Sequence, residues 1–348
     1  MDKLLCNKHR DSNVELLRIV SMILVLVSHA SYTSLEPPSQ EDIKLSLDSS
    51  FLRGMSESLS KVCVNVFILI SGWYGIRIKV NRFVELVFQA LFISICMYFV
   101  MRILGLTRAI SMNEWIELLL FKHVGYWFVR AYIILFLFSP VLNIFVQNTN
   151  RKQLKFFLVA FFSVQIIYGF YNYGGWYAGG YSPLSFMGLY VLARYMRLYP
   201  SKFTQLHKYS DLFLYFVLSI ITAVCSLSLT FFFNKGGTVL LLYSSPLVIL
   251  SSVYFFLFFT KFSFHSQFIN WVATSCFAVY LVHTTPYILH SYYMDIVSYW
   301  YETELRTPFL LHTSGLVVLF FAFSICFDQF RILIWKMFSR LLDTFRMG

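Results

Sequence analysis

The chain has 348 residues, 58% of them hydrophobic and only 13% charged, with a mean hydropathy of +0.66. A soluble domain carries about 45–50% apolar and about 25% charged residues, so a soluble globular fold is excluded. The net charge of +11 sits in short tethers between hydrophobic runs, which fits membrane topology and leaves no nucleic-acid partner to expect.

In chain order, windows of about 20 residues predict ten membrane helices, near residues 14–34, 59–76, 83–106, 125–147, 154–172, 182–199, 210–233, 238–260, 268–289 and 309–335. The sixth is the weakest, with Arg194 and Arg197 near its end, where long basic side chains reach the headgroups. No repeat, low-complexity tract or soluble second domain interrupts the series, so residues 1–348 read as one all-α integral membrane domain of about ten transmembrane helices. Eighteen of the 28 Lys and Arg residues fall on the side of the N-terminus and eight on the other, with Arg18 and Arg130 inside spans. The excess of basic residues on one side predicts that both termini are cytoplasmic. Glu15 and Arg18 break the apolar core that a cleavable signal peptide needs, so the first run reads as a retained span. The six cysteines, from Cys6 to Cys326, are single and scattered, and suggest neither a metal site nor a disulfide framework.

The first span holds the most informative residues. Glu15, Arg18 and His29 interrupt an otherwise apolar run, and a charge at the bilayer centre costs roughly 2.5–3.5 kcal/mol, so such groups face a protein interior or a wet cavity. Arg18 and His29 lie eleven positions apart, a rotation of about 20° modulo a full turn, which puts both on one helix face about 16 Å apart. Arg18 falls near the cytoplasmic boundary, beside Glu15, and His29 in the outer half of the membrane.

These residues carry a resemblance. Glu15-Leu16-Leu17-Arg18 with His29 resembles the Arg-x10-His signature of the acyltransferase 3 family, integral-membrane O-acyltransferases that modify cell-surface sugars. Val66 to Gly72 resembles the family's Ile-Ser-Gly element. Tyr126 to Tyr132, continued by Ser139 to Asn143, resembles its Trp-Phe helix, and Gly188 to Tyr199 and Phe277 to His283 match further elements in order. The match spans nearly the whole chain and is most like the branch that acetylates surface polysaccharides. One departure falls at the third helix, where Arg82 is followed by Glu85 and not by a second arginine.

The resemblance implies acetyl-CoA as the acyl donor, used as a co-substrate without a metal. It implies as acceptor a hydroxyl of a capsular, exopolysaccharide or other surface glycan, or of its lipid-linked precursor. The protein is then a multi-pass protein of the cell (plasma or inner) membrane. The chemistry agrees, because O-acyl transfer needs a base for a weakly acidic hydroxyl and a neutral imidazole serves near pH 7. His29 is the candidate, acting as base or as covalent acyl carrier, although a histidine bonded to a neighbouring helix reads equally well from composition alone. Arg18, oriented by Glu15 three residues earlier, is expected to hold the donor, unless it snorkels to the headgroups. Arg82, Arg77 and Lys79 form a basic cluster suited to coenzyme A phosphates, although a short cytoplasmic loop is basic in any case. Trp127, Arg130 and His283 share the outer half with His29 and are candidates for the acceptor site. Arg130 would stabilise charge on the acyl carbonyl or pair with a neighbouring helix, and His283 would contact substrate or make a structural hydrogen bond. Trp176 lies in an uncharged, aromatic-rich outer connection that offers flat faces to a sugar or forms an interfacial belt. The competing class is a polytopic transporter or flippase of glycan precursors, since many spans with intramembrane charge also suit a carrier.

Overall fold

The computed structural model describes residues 11–171, 176–234, 236–286 and 288–347. Cys6 and the basic residues Lys3, Lys8 and Arg10, which entered the topology argument, lie outside the described residues. Among those described the chain is all helical.

The first helix, α1 (Ser12–Ser28), runs without interruption into a π-helical turn, His29–Thr33. Two short polar helices follow, α2 (Gln40–Leu45) and α3 (Leu47–Ser60). The start of α2 is fixed by a reciprocal cap, in which the Ser39 hydroxyl accepts from the Asp42 N–H and the Asp42 carboxylate accepts from the Ser39 N–H. After a turn at Lys61 and Val62 comes α4 (Cys63–Tyr74), followed by α5 (Val80–Ile103), α6 (Met112–Leu119) and α7 (Trp127–Asn148). Then come α8 (Arg151–Tyr171), α9 (Pro183–Leu198), α10 (Lys208–Phe233) and α11 (Pro246–Thr260). The chain ends with α12 (Gln267–Thr274), α13 (Cys276–His283), α14 (Asp295–Thr303) and α15 (Arg306–Met347).

Seven stretches among the described residues are long and apolar enough to cross a membrane: Ser12–Thr33, Leu47–Tyr74, Val80–Ile103, Met112–Asn148, Lys208–Phe233, Gly237–Thr260 and Arg306–Met337. They coincide with seven of the ten sequence-based spans. The other three are helical but differ in form. Residues 154–172 fall in α8, whose start carries Arg151, Lys152 and Lys155, and 182–199 form the 16-residue α9. Residues 268–289 contain α12 and α13, two eight-residue helices separated at Ser275. A window average over apolar residues does not detect the short length of α9 or the break between α12 and α13, and it passes over the basic first turn of α8.

The first helix lies at the centre of the bundle, packed against α3, α4, α11, α12, α13 and α15. Its polar residues tie it to these neighbours. Ser12 Oγ donates to Asn270 Oδ1 (2.9 Å) and Asn13 Nδ2 to the Phe259 carbonyl (3.0 Å), while near the other end Ser28 Oγ donates to Glu57 Oε2 (2.9 Å). Both ends are thus fixed in depth by hydrogen bonds that have little competition from water. Helix α4 meets α9 at Gly72, where a Cβ would stand 2.5 Å from the Tyr190 carbonyl oxygen and 2.8 Å from Ala193 Cβ. Only glycine permits that approach of two backbones, the usual way in which membrane helices gain close packing.

Candidate functional site

A cavity of about 330 Å³ runs beside α1, with Arg18 and His29 both in its wall. Their common helix face, expected from eleven-residue spacing, is thus turned inward to one space. Val64, Phe67, Trp127, Phe128, Tyr132 and Tyr280 supply much of the apolar and aromatic lining. A neighbouring chamber, lined by Tyr32, Pro37, Glu57, Thr238 and Leu241 among others, shares Thr33, Lys61 and Tyr181 with the first. The two spaces therefore adjoin at the His29 end of α1.

His29 stands where the α-helix gives way to the π turn. Single π turns of this kind are frequent at functional sites. Here the Leu26 carbonyl, one turn back, accepts a hydrogen bond from the Tyr293 hydroxyl (2.8 Å). His29 Nδ1 lies 2.6 Å from Nε2 of His283, and the two rings stack with centroids 4.8 Å apart. His283 is fully buried, and the ring of Tyr293 stands edge-on to it at 4.3 Å. One nitrogen of this pair must donate and the other accept. With Nδ1 of His29 engaged, its Nε2 is the nitrogen left for other chemistry, and it is a lone-pair base only when the Nδ1 proton points to His283. That tautomer places the His283 proton on its own Nδ1, a buried atom without a hydrogen-bond partner among the described residues. The structure thus places His283 behind His29, in a position to orient it.

At the other end of the cavity, Arg18 Nε is 3.9 Å from Glu15 Oε2, and the Arg18 side chain keeps 40% of its surface exposed. Glu15 is buried beside it and outside the cavity lining. Arg77, Lys79 and Arg82 are exposed on the segment leading from α4 into α5 and do not line the cavity. Another arginine holds the end of α4, with a second beside it. Arg197 Nη1 donates to the Trp73 carbonyl (2.6 Å) and its guanidinium lies over the rings of Trp73 and Tyr74, while Arg194 approaches Gly75.

Of the remaining candidates, Trp127 lines the cavity, 4.5 Å from the ring of Tyr181 and 5.9 Å from that of Tyr243. Arg130 is turned to its own neighbourhood, with Nη1 donating to the carbonyls of Phe121 (2.5 Å) and His123 (3.1 Å). Trp176 is 87% exposed. Residues 172–175 of the same aromatic connection lie outside the described residues, but Tyr181 at its end reaches both chambers.

Two residues escaped sequence reasoning. Glu57 and Lys61 precede or open the second apolar run, in a stretch that reads as an outer loop. In the structure Glu57 is 1% exposed, and its carboxylate accepts from Ser28 Oγ and from Lys61 Nζ, each at 2.9 Å. The Lys61 ammonium also faces the ring of Tyr243 at 4.7 Å. Their i, i+4 spacing is a signal, but one shared by many solvated helix pairs. Among the described residues no cluster of three or more His, Cys, Asp or Glu side chains forms a metal site.

The fold and cavity define a multi-pass helical membrane protein with an internal polar site on its first helix. Residues 11–328 match the family model described as an acyltransferase domain, so the chain belongs to the acyltransferase 3 family and is a membrane acyltransferase. No curated protein and no solved structure matches it.

Proposed function

We propose that this membrane acyltransferase moves an acetyl group from cytoplasmic acetyl-CoA to a hydroxyl of a cell-surface polysaccharide or of its lipid-linked precursor. The observation that carries the reading is the single cavity joining Arg18 to a His29 imidazole that is backed by His283. It supplies a cation where an anionic donor would lie and a base about 16 Å further along α1, across much of an approximately 30 Å apolar core. In this reading the chain spans the cell (plasma or inner) membrane ten times, α8, α9 and the α12–α13 pair completing the series, with both termini cytoplasmic.

His29 Nε2 takes the proton of the acceptor hydroxyl as its oxygen attacks the thioester carbonyl carbon. The new C–O bond forms, the C–S bond breaks, and the sulfur leaves as thiolate, which recovers a proton from the His29 imidazolium. Arg18 contacts the donor's phosphates, and Glu15 orients Arg18. Trp127 and Tyr181 offer ring faces to the acceptor. The family membership supports transfer over the transporter or flippase reading. The test is incubation of the purified full-length protein with radiolabelled acetyl-CoA and glycan extracted from the source cells, with mass analysis of the product. An added acetyl ester on the glycan is expected, and an unmodified glycan with intact donor would refute the assignment.

A further inference from the structure

Acyl transfer places negative charge on the thioester carbonyl oxygen, and in an apolar site that charge needs a fixed donor. Arg130, the cation that sequence suggested for this task, already donates to two loop carbonyls and stands outside the cavity lining. Lys61 lines the cavity together with His29 and also lines the adjoining chamber, so its ammonium sits where the two spaces meet. From the geometry, and resting on the acyl-transfer reading above, we infer that Lys61 is the electrophilic catalytic residue, donating a hydrogen bond to the acyl carbonyl oxygen while His29 deprotonates the acceptor.

Three features equip Lys61 for this. Its hydrogen bond among the described residues goes to Glu57 Oε1, which leaves two of its three N–H groups to point elsewhere. The Glu57 carboxylate is itself held by Ser28, the residue preceding His29, so the ammonium and the imidazole are positioned from one turn of α1. The Tyr243 ring lies against the ammonium, which keeps the charge in place through the ring quadrupole. In a site with little water such a fixed charge acts more strongly than in solution. As the C–O bond forms, the Lys61 N–H shortens its contact to the oxygen that gains charge, and the contact relaxes when the C–S bond breaks. No proton need leave Lys61.

Lys61→Met removes the donor at nearly equal length, but it strands the buried Glu57 carboxylate, which by itself destabilises the fold. The decisive protein is therefore the double variant Glu57→Gln/Lys61→Met, in which both charges go and the amide can still accept from Ser28. Acetyl transfer from labelled acetyl-CoA to extracted source-cell glycan is measured in detergent, with kcat and the donor KM read separately. The expected result for the double variant is a kcat lower by about 10²–10³-fold at an unchanged donor KM, with Lys61→Arg retaining part of the activity. A double variant with wild-type kcat, or one altered only in KM, would show Lys61 to be a counter-ion or binding group and overturn the inference. Absence of transfer by the unaltered protein would instead refute the acyl-transfer reading on which it rests.

Discussion

In the proposed reaction, His29 and His283 are the pair in which the position of a single proton decides whether transfer proceeds. Replacing His29 by alanine would remove the proposed base while the cavity walls remain, so transfer is expected to fall by at least about 10²-fold at normal membrane accumulation, as read by acetyl transfer onto glycan and by immunoblot. His283 acts one step back. His283→Ala removes the acceptor for the His29 Nδ1 proton, and a loss of at least about tenfold in kcat at constant donor KM is expected. His283→Gln, whose amide oxygen can accept that proton, should recover part of the loss, which a purely space-filling role for His283 would not predict. At the opposite end, Arg18→Lys keeps the charge and loses the planar fork that suits phosphate, so the donor KM should rise several-fold. Arg82→Ala should raise it less, because Arg82 is exposed and does not line the cavity. An unchanged donor KM in Arg18→Lys would return Arg18 to a headgroup-reaching role. Arg18, His29 and His283 could be singled out because a polar group in an apolar run has few reasons to be there, and Trp127 because the resemblance marks it. Lys61 and Glu57 were not, because in a polar stretch a charge needs no explanation until its burial is seen.

Among the elements, the seven long apolar stretches were legible from hydropathy, since each holds a window of 18 residues rich in apolar side chains. What the signal does not encode is where a helix stops and on what it leans. The break at Ser275 between α12 and α13 sets the depth of His283, yet Ser275 lies in a run that reads as one helix. The π turn at His29 is equally silent, as no proline or glycine marks it. Glycine gives the opposite case, where the sequence carries the mark and the structure supplies the reason. Gly72 lets α4 contact the α9 backbone, so Gly72→Ala forces a methyl group against the Tyr190 carbonyl. Overpacking of this sort costs about 1–3 kcal/mol, and the expected outcome is a melting temperature in detergent lowered by several degrees. Because α4 also carries Phe67, Ile70 and Ser71 of the cavity wall, activity should fall with stability. A melting temperature at the wild-type value would mean that α4 and α9 separate without cost.

On the scale of the whole molecule, the site makes sense only if the two ends of α1 meet different compartments. In the proposed reaction a charged donor arrives at Arg18 and the acceptor through the chamber that meets the cavity at Lys61, so the two need not pass one another and the protein is a route for an acyl group alone. That arrangement requires the α2–α3 side of the bundle and the segment after α9 to face opposite compartments, as the distribution of Lys and Arg implies. Glu41 in α2 and Lys202 after α9 are both exposed, and neither lies in the cavity lining. In an active background with the six native cysteines replaced, Glu41→Cys should react in intact cells with a thiol reagent that does not cross membranes. Lys202→Cys should react only after the membrane is opened. The reverse pattern would place Arg18 on the side away from a cytoplasmic donor and would overturn its proposed role in holding the donor's phosphates.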